Sequence, residues 1–278
     1  MTEIKGPTAR IWRDGTLVEW ADATVHVMAH ALHYGSSVFE GMRCYQTPEA
    51  GAVFRLRDHM RRLKDSAKIY RLDTAWSIDD LCDATVQTIA ANGLRECYIR
   101  PIIMRTGENM GIWPKNAPVE TMIICWNMGL YFGEEALRTG TDVRVASWRR
   151  AAPNTFPALA KAGGNYLNSQ LTKIEAKSDE YVEGIMLDSA GFVAEGSDTD
   201  FHRGEEKWTL ASGSLAPPAL SASERPSTAS ISAREIPPGR NSVGAPSSDR
   251  PPLPVRRRPA RCAPQPRAAP MSSASVRT

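Results

Sequence analysis

The feature that most limits what this chain can fold into is a change of character near Ser197. Before that point the sequence carries helix and strand periods; beyond it they stop. The stretch from Phe201 to Thr278 holds 13 of the chain's 20 prolines, no tyrosine, and only Phe201 and Trp208 as aromatics. Segments such as PPLPVRRRPARCAPQPRAAP cannot bury enough apolar surface to offset the entropy of ordering a backbone. Residues 201–278 are therefore expected to form a disordered tail. Charge divides at the same place. The tail has 12 Lys+Arg against 5 Asp+Glu, or +7, which leaves 22 against 26, or −4, for the rest of a chain whose total is +3. The total describes neither part and does not signal nucleic-acid binding. The RRRPAR run could draw RNA or an anionic membrane, but Phe201 and Trp208 lie far from it and offer little stacking.

The chain is long enough for one large domain or two modest ones, and its 42% hydrophobic content allows a sizeable core. Its opening, MTEIKGPTARIW, lacks the apolar run of a secretory signal. No stretch approaches the ~20 apolar residues of a membrane helix, so no membrane role is expected. Cys44, Cys82, Cys97, Cys125 and Cys262 are odd in number, scattered and without a C-x-x-C pair. That argues against a disulfide framework and a structural zinc site, no metal is expected, and it fits a reducing cytoplasm.

Residues 9–20 read as a hairpin around an Asp14-Gly15 turn. Residues 57–70 place Met60, Leu63, Ala67 and Tyr70 at helical spacing. A second helix follows Ser77, a natural N-cap with Asp79 and Asp80 in its first turn; Leu81, Thr85, Val86 and Ile89 form its apolar stripe, and Asn92-Gly93 stops it. Cys97 to Met104, Thr121 to Trp126 and Asp142 to Ser147 look like strands. Asn165 to Lys177 looks like an amphipathic helix. Residues 183–188 and 192–195 bracket a Ser189-Ala190-Gly191 turn. The expected organisation is α+β: a domain over 1–130, a crossing loop over 131–141, a second domain over 142–200, then the tail.

Of the seven lysines before residue 200, six have ordinary settings; Lys64, Lys68, Lys173 and Lys177, for instance, sit on charged helical faces. Lys161 differs, because it lies in FPALAKAGGNY. Small and apolar neighbours favour the neutral amine, and Gly163-Gly164 let something approach the backbone. A Schiff-base lysine needs both features. A lysine snorkelling from a strand end fits the same composition.

The blocks SSVFEGMRCY, RDHMRRLKDSAKIYR, YIRP, SWRRAAPNTFPALAKAGGNYL and EGIMLDSAGFVAEGS resemble, in order and spacing, those of the branched-chain amino acid aminotransferases. These are fold-type IV enzymes that use pyridoxal 5′-phosphate (PLP), in a two-domain fold like that of D-amino acid aminotransferase. The resemblance runs from about Ile11 to Ser197. It implies transfer of amino groups between Leu, Ile or Val and 2-oxoglutarate. It further implies that Lys161 carries PLP and shuttles a proton, that Tyr166 bonds the cofactor's phenolic oxygen, and that Glu195 faces its pyridine nitrogen. Arg62 would clamp the phosphate. Phe39, Tyr98, Arg100 and Tyr131 would line the substrate pocket, with Tyr34 and Ile112 arriving from a neighbouring subunit of a homodimer or larger homo-oligomer. An aliphatic and aromatic lining suits Leu, Ile and Val by burial, at ~1.5–3 kcal/mol per side chain. Arg100 could receive the second carboxylate of glutamate or 2-oxoglutarate. D-amino acid aminotransferases and aminodeoxychorismate lyases share the Lys, Glu and Arg, but the Tyr98-Ile99-Arg100 block and KAGGNYL speak against both.

After Ser197 the chain departs from that pattern. A Leu-Pro-Gly-Ile-Thr-like turn and a later Gly-Thr-Ala turn, which give the family's phosphate cup its backbone N–H groups, are not found in order. Asp198-Thr199-Asp200 stands where Gly-x-Asn is expected. So abrupt a move to Pro, Arg, Ser and Ala fits a shifted reading frame, natural or from sequencing error, and equally a disordered tail that evolved as such. The second domain is expected to be incomplete, with strands 142–149, 183–188 and 192–195 short of sheet partners and the product a poorly folded or inactive remnant.

Overall fold

Asp14 and Gly15 both take positive φ, 41° and 94°, the geometry that matches the twist of a two-residue hairpin. They join β1 (Arg10–Arg13) to β2 (Thr16–Glu19), with Ile11 opposite Val18 and Trp12 opposite Leu17. The Asp14 carboxylate also accepts from Trp76 Nε1 and from the Thr121 N–H, both at 3.0 Å. The computed structural model describes residues 8–107, 111–114, 116–128, 140–203, 208–211 and 228–230, those from Asp200 on by their backbone alone. The described residues all fall within one unit of the chain.

That hairpin edges a seven-stranded sheet ordered β2-β1-β7-β6-β4-β5, with β3 (Ser37–Phe39) also paired to β6. Here β4 is Met42–Gln46, β5 is Gly51–Val53, β6 is Cys97–Arg105 and β7 is Val119–Trp126. A short helix α1 (His30–Tyr34) precedes β3 and ends on Gly35 at φ 64°. On one face lie α2 (Leu56–Ile69) and α3 (Ile78–Ala91). The periodicity located both helices within a residue or two. As expected, Ser77 caps α3, and its hydroxyl and the Asp80 carboxylate satisfy each other's backbone N–H.

Strict alternation along β6 decides what faces where. Ile99 and Ile103 enter the core with Met60, Leu63, Ala67, Leu81, Ile89 and Ile123. Tyr98 and Arg100, on either side of Ile99, stand on the other face. The expected α3 stripe needs correction: Leu81, Ala84, Thr85, Thr88 and Ile89 are buried, whereas Val86 is exposed. Thr85 and Thr88 enter the core because their hydroxyls donate to the carbonyls of Leu81 and Ala84 one turn earlier.

The second sheet is ordered β10-β9-β8, from β8 (Val143–Arg149), β9 (Glu183–Leu187) and β10 (Val193–Gly196). The parallel β8–β9 pair is connected through α4 (Tyr166–Ser178), as a parallel crossover requires. These strands pair with one another, and β8 and β10 form the two edges of the sheet. In α4 the buried face is Ser169, Thr172 and Ala176, with Leu167, Leu171 and Ile174 outward. Gly184 of β9 explains this, since a Cβ there would meet Thr172 Cγ2 at 2.6 Å and Ala176 Cβ at 3.4 Å. Helix and strand approach so closely that leucine would not fit between them. Lys173, expected on a solvated face, instead reaches the fully buried Glu183 at 2.9 Å.

The expectation of disorder past residue 200 is corrected in part. The backbone forms an antiparallel three-stranded sheet from β11 (Asp200–Arg203), β12 (Trp208–Ala211) and β13 (Thr228–Ser230). Aromatic and β-branched residues at Phe201, Trp208, Thr209 and Thr228 suit a pleated ladder. The rest of 201–278, and residues 131–139 of the expected crossing loop, lie outside the described residues.

Candidate active site

β3 is short and open on the side away from β6, and the segment carrying Lys161 closes that edge. Val38 bridges to Ala162, and the Phe39 N–H donates to the Lys161 carbonyl at 3.0 Å. The Lys161 N–H donates to Ser66 Oγ on α2 at 3.1 Å. The lysine backbone is thus clamped between the first sheet and its covering helix. Local chemistry shapes the approach: the Ala160 N–H reaches Pro157 O, and Asn165 Nδ2 reaches Ala160 O at 3.2 Å. Gly163 is needed for space, since a Cβ there would strike Ser37 Oγ.

Within this frame Lys161 Nζ donates to the Tyr166 hydroxyl at 2.7 Å. The Tyr166 ring lies 4.8 Å from Phe39, and Lys161 Nζ sits 5.4 Å from the same Phe39 ring. Arg100 covers Phe39 at 4.4 Å and donates to the Tyr98 hydroxyl at 2.9 Å. Tyr98 packs on Trp126 at 4.7 Å, and Gly41 leaves the space that the Tyr98 hydroxyl fills. Arg100 Nε is buried and, among the described residues, without a hydrogen-bond partner, a donor still to be satisfied where a polar ligand could reach it. The structure therefore brings Lys161, Tyr166, Phe39, Arg100 and Tyr98 into one continuous cluster.

Arg62 joins it from α2, one helical turn before Ser66 and so on the same face. Its guanidinium takes both oxygens of Glu40, through Nε to Oε1 and through Nη2 to Oε2 at 2.6 Å. His59 Nδ1 stands 3.0 Å from Glu40 Oε2. Glu40 is fully buried. Burial pushes its carboxyl upward, but the hydrogen bonds and charges of His59 and Arg62 outweigh that and hold it below the ordinary value of 4.5. Glu195, on β10, is ion-paired with Arg150. Arg150 is fixed in turn by its N–H to Leu187 O at 2.8 Å.

Tyr34 and Ile112 lie apart from the cluster. Tyr34 is half exposed and stacks on His30 at 4.6 Å, while Ile112 is 78% exposed. Tyr131 lies outside the described residues. The sequence reading missed Glu40, His59, Ser66, Trp126 and Arg150. Two of them left a trace: Glu40 is the one charge in SSVFEGM, and His59 occupies the apolar face of α2 beside Met60 and Leu63.

The donor set fits PLP. An amine in contact with a phenol suits an aldehyde next to a phenolic oxygen, and Arg62 and Arg100 Nε suit anionic groups. Among the described residues there is no cluster of His, Cys, Asp and Glu that could hold a metal ion.

Comparison with known proteins gives the family and the fold. Residues 37–199 match the family described as amino-transferase class IV. The branched-chain-amino-acid aminotransferase of Salmonella typhimurium is 47% identical over 217 residues, which are 78% of this chain and 68% of that protein. Among solved structures, the Escherichia coli branched-chain amino acid aminotransferase superposes with a TM-score of 0.69 at 48% identity, over 72% of this chain and 67% of that one. A T.th. branched-chain amino acid aminotransferase complexed with N-(5′-phosphopyridoxyl)-L-glutamate gives 0.67 at 38%, over 74% and 67%. The fold-type IV architecture and the PLP chemistry expected from the resemblance are those of these relatives.

Proposed function

Because this chain belongs to the class IV aminotransferase family, we propose that it exchanges amino groups between Leu, Ile or Val and 2-oxoglutarate, with PLP carried on Lys161. The observation that carries this reading is the 2.7 Å contact from Lys161 Nζ to Tyr166, set against the Phe39, Arg100 and Tyr98 cluster. When bound, PLP supplies a conjugated ring that accepts the electrons of a substrate carbanion. The protein supplies the rest. Lys161 removes and returns the proton at the substrate Cα, and the Tyr166 hydroxyl orients its amine. Arg62 holds the phosphate and Glu195 keeps the pyridine nitrogen protonated, the latter once Arg150 shares it.

Two kinds of substrate use one pocket. Phe39, Tyr98 and Trp126 offer apolar surface to an aliphatic side chain, and water is excluded as it enters. Arg100, stacked on Phe39, offers a guanidinium to the second carboxylate of 2-oxoglutarate, so the same walls accept a dicarboxylate without a separate site. Tyr34 and Ile112 are exposed, as residues that serve a neighbouring subunit of a homo-oligomer would be. Among the described residues no helix is long and apolar enough to cross a membrane. The buried free thiols Cys44, Cys97 and Cys125 suit a reducing cytoplasm.

The test is a visible absorbance spectrum of the purified chain with added PLP, beside Lys161→Ala. A Lys161-dependent band that bleaches with leucine is the expected result. No band, or one equal in the variant, would overturn the proposal and leave an inactive relative of the family.

A further inference from the structure

Glu40 is an expensive residue to bury. An ionised carboxylate costs several kcal/mol to take out of water, and an apolar side chain of similar volume would fill the same space at lower cost. It nonetheless occupies a fully buried position, with Arg62 across both oxygens and His59 at 3.0 Å. His59 is itself only 2% exposed. Glu40 and Arg62 are each tied to the candidate site by a different route. Glu40 follows Phe39, whose N–H holds the Lys161 carbonyl, and its own N–H donates to Pro101 O at 3.0 Å, next to Arg100. Arg62 and Ser66 share one face of α2, and Ser66 holds the Lys161 N–H.

Arg62 needs such support. It is 34% exposed by its side chain, and a long side chain in that setting would ordinarily sample several rotamers. A guanidinium is a planar fork with two edges. Glu40 grips the edge made by Nε and Nη2, which fixes the plane of the group. A bound phosphate would take the other edge, Nη1 with the second Nη2 hydrogen, in exchange for any partner held there.

We infer that Glu40, backed by His59, is a positioning residue that sets the Arg62 guanidinium to receive the cofactor's phosphate. This rests on the PLP reading above. It goes further in giving a task to two residues that contact neither lysine nor substrate. An ion pair that served the fold alone would not distinguish a phosphorylated ligand from an unphosphorylated one.

The experiment compares binding of PLP and of pyridoxal, which lacks the phosphate, to the full chain and to Glu40→Gln. The expected result is a loss of PLP affinity of about 10- to 100-fold, with pyridoxal changed by less than about twofold. Equal losses for both ligands would make Glu40 a purely structural residue and overturn the inference, as would no loss for either. If Glu40→Gln does not fold, His59→Asn carries the same pattern at about 2- to 10-fold. A second readout needs no bound cofactor: the Arg62 Nε–H resonance should shift on adding inorganic phosphate to the wild-type chain and lose that response in the variant. A wild-type chain without the response overturns the inference. Failure of the PLP reading looks different, because Lys161→Ala would then leave the PLP spectrum unchanged whatever Glu40 does.

Discussion

Replacing Arg62 by methionine keeps much of the aliphatic stem of the side chain and removes the cation from Glu40. What remains is a carboxylate with no exposure and, among the described residues, His59 as its side-chain partner. Removing one partner of a buried ion pair costs about 3–5 kcal/mol, because the other charge stays behind uncompensated. Arg62 is 34% exposed, so water can enter where its head stood, and the expected loss is at the low end, ~3 kcal/mol. Out of a typical total of ~5–15 kcal/mol that is a large share. Urea unfolding followed by far-ultraviolet circular dichroism should show the midpoint falling by roughly 1–1.5 M at unchanged slope. The effect has a pH signature. In the wild-type chain Glu40 titrates below its ordinary 4.5, so its stabilisation is complete above that value and lost as pH falls through the lowered one. In Arg62→Met the upward push of burial is opposed by His59 without Arg62, and the carboxyl takes up a proton more readily. The gap between the two proteins should therefore be widest near roughly pH 7 and narrow below about pH 4.5. Arg62→Met combined with Glu40→Gln should recover most of the loss, since no buried charge is left. A gap under about 1 kcal/mol, or one that does not narrow in acid, would refute the reasoning.

Three further outcomes follow from particular contacts. Arg100→Gln should lower kcat/KM for 2-oxoglutarate by about 10- to 150-fold, the worth of a charge-assisted contact, and leave the leucine half-reaction nearly unchanged; equal losses in the two half-reactions would remove the dicarboxylate role of Arg100. Gly163→Ala should destabilise the chain by about 1–3 kcal/mol through its clash with Ser37 Oγ. Ser37→Ala in the same chain should relieve it, because Ser37 Cβ is 3.8 Å from the added carbon; thermal melts of the single and double variants would decide. Leu81→Ala, in a fully buried position, should cost about 2–5 kcal/mol in urea unfolding. Val86→Ala on the same helix, 56% exposed, should stay within about 0.5 kcal/mol.

What the sequence determined is local. A hairpin turn needs residues that tolerate positive φ, and Asp14-Gly15 announces it. A helix repeats its apolar residues every three to four positions and begins on a cap, so α2 and α3 were legible, Ser77 included. Lys161 stood out among the lysines because its neighbours are small and apolar, and the family blocks then gave Tyr166, Arg62 and the pocket residues. Tertiary structure decided which of these residues meet. Arg62 takes hold of Glu40 from 22 positions away, and Ser66 holds the Lys161 backbone from 95 positions away. Such contacts depend on how β3 is laid between β6 and the lysine segment, which no short window of sequence contains. The same limit governs burial. The leucines of α4 point outward, because Gly184 draws β9 against the helix and Thr172 and Ala176 are small enough for that approach. Lys173 read as solvated, yet it neutralises a buried Glu183 on the neighbouring strand. Periodicity records which face of an element differs from the other; the partner that comes to lie against it decides which of the two is buried.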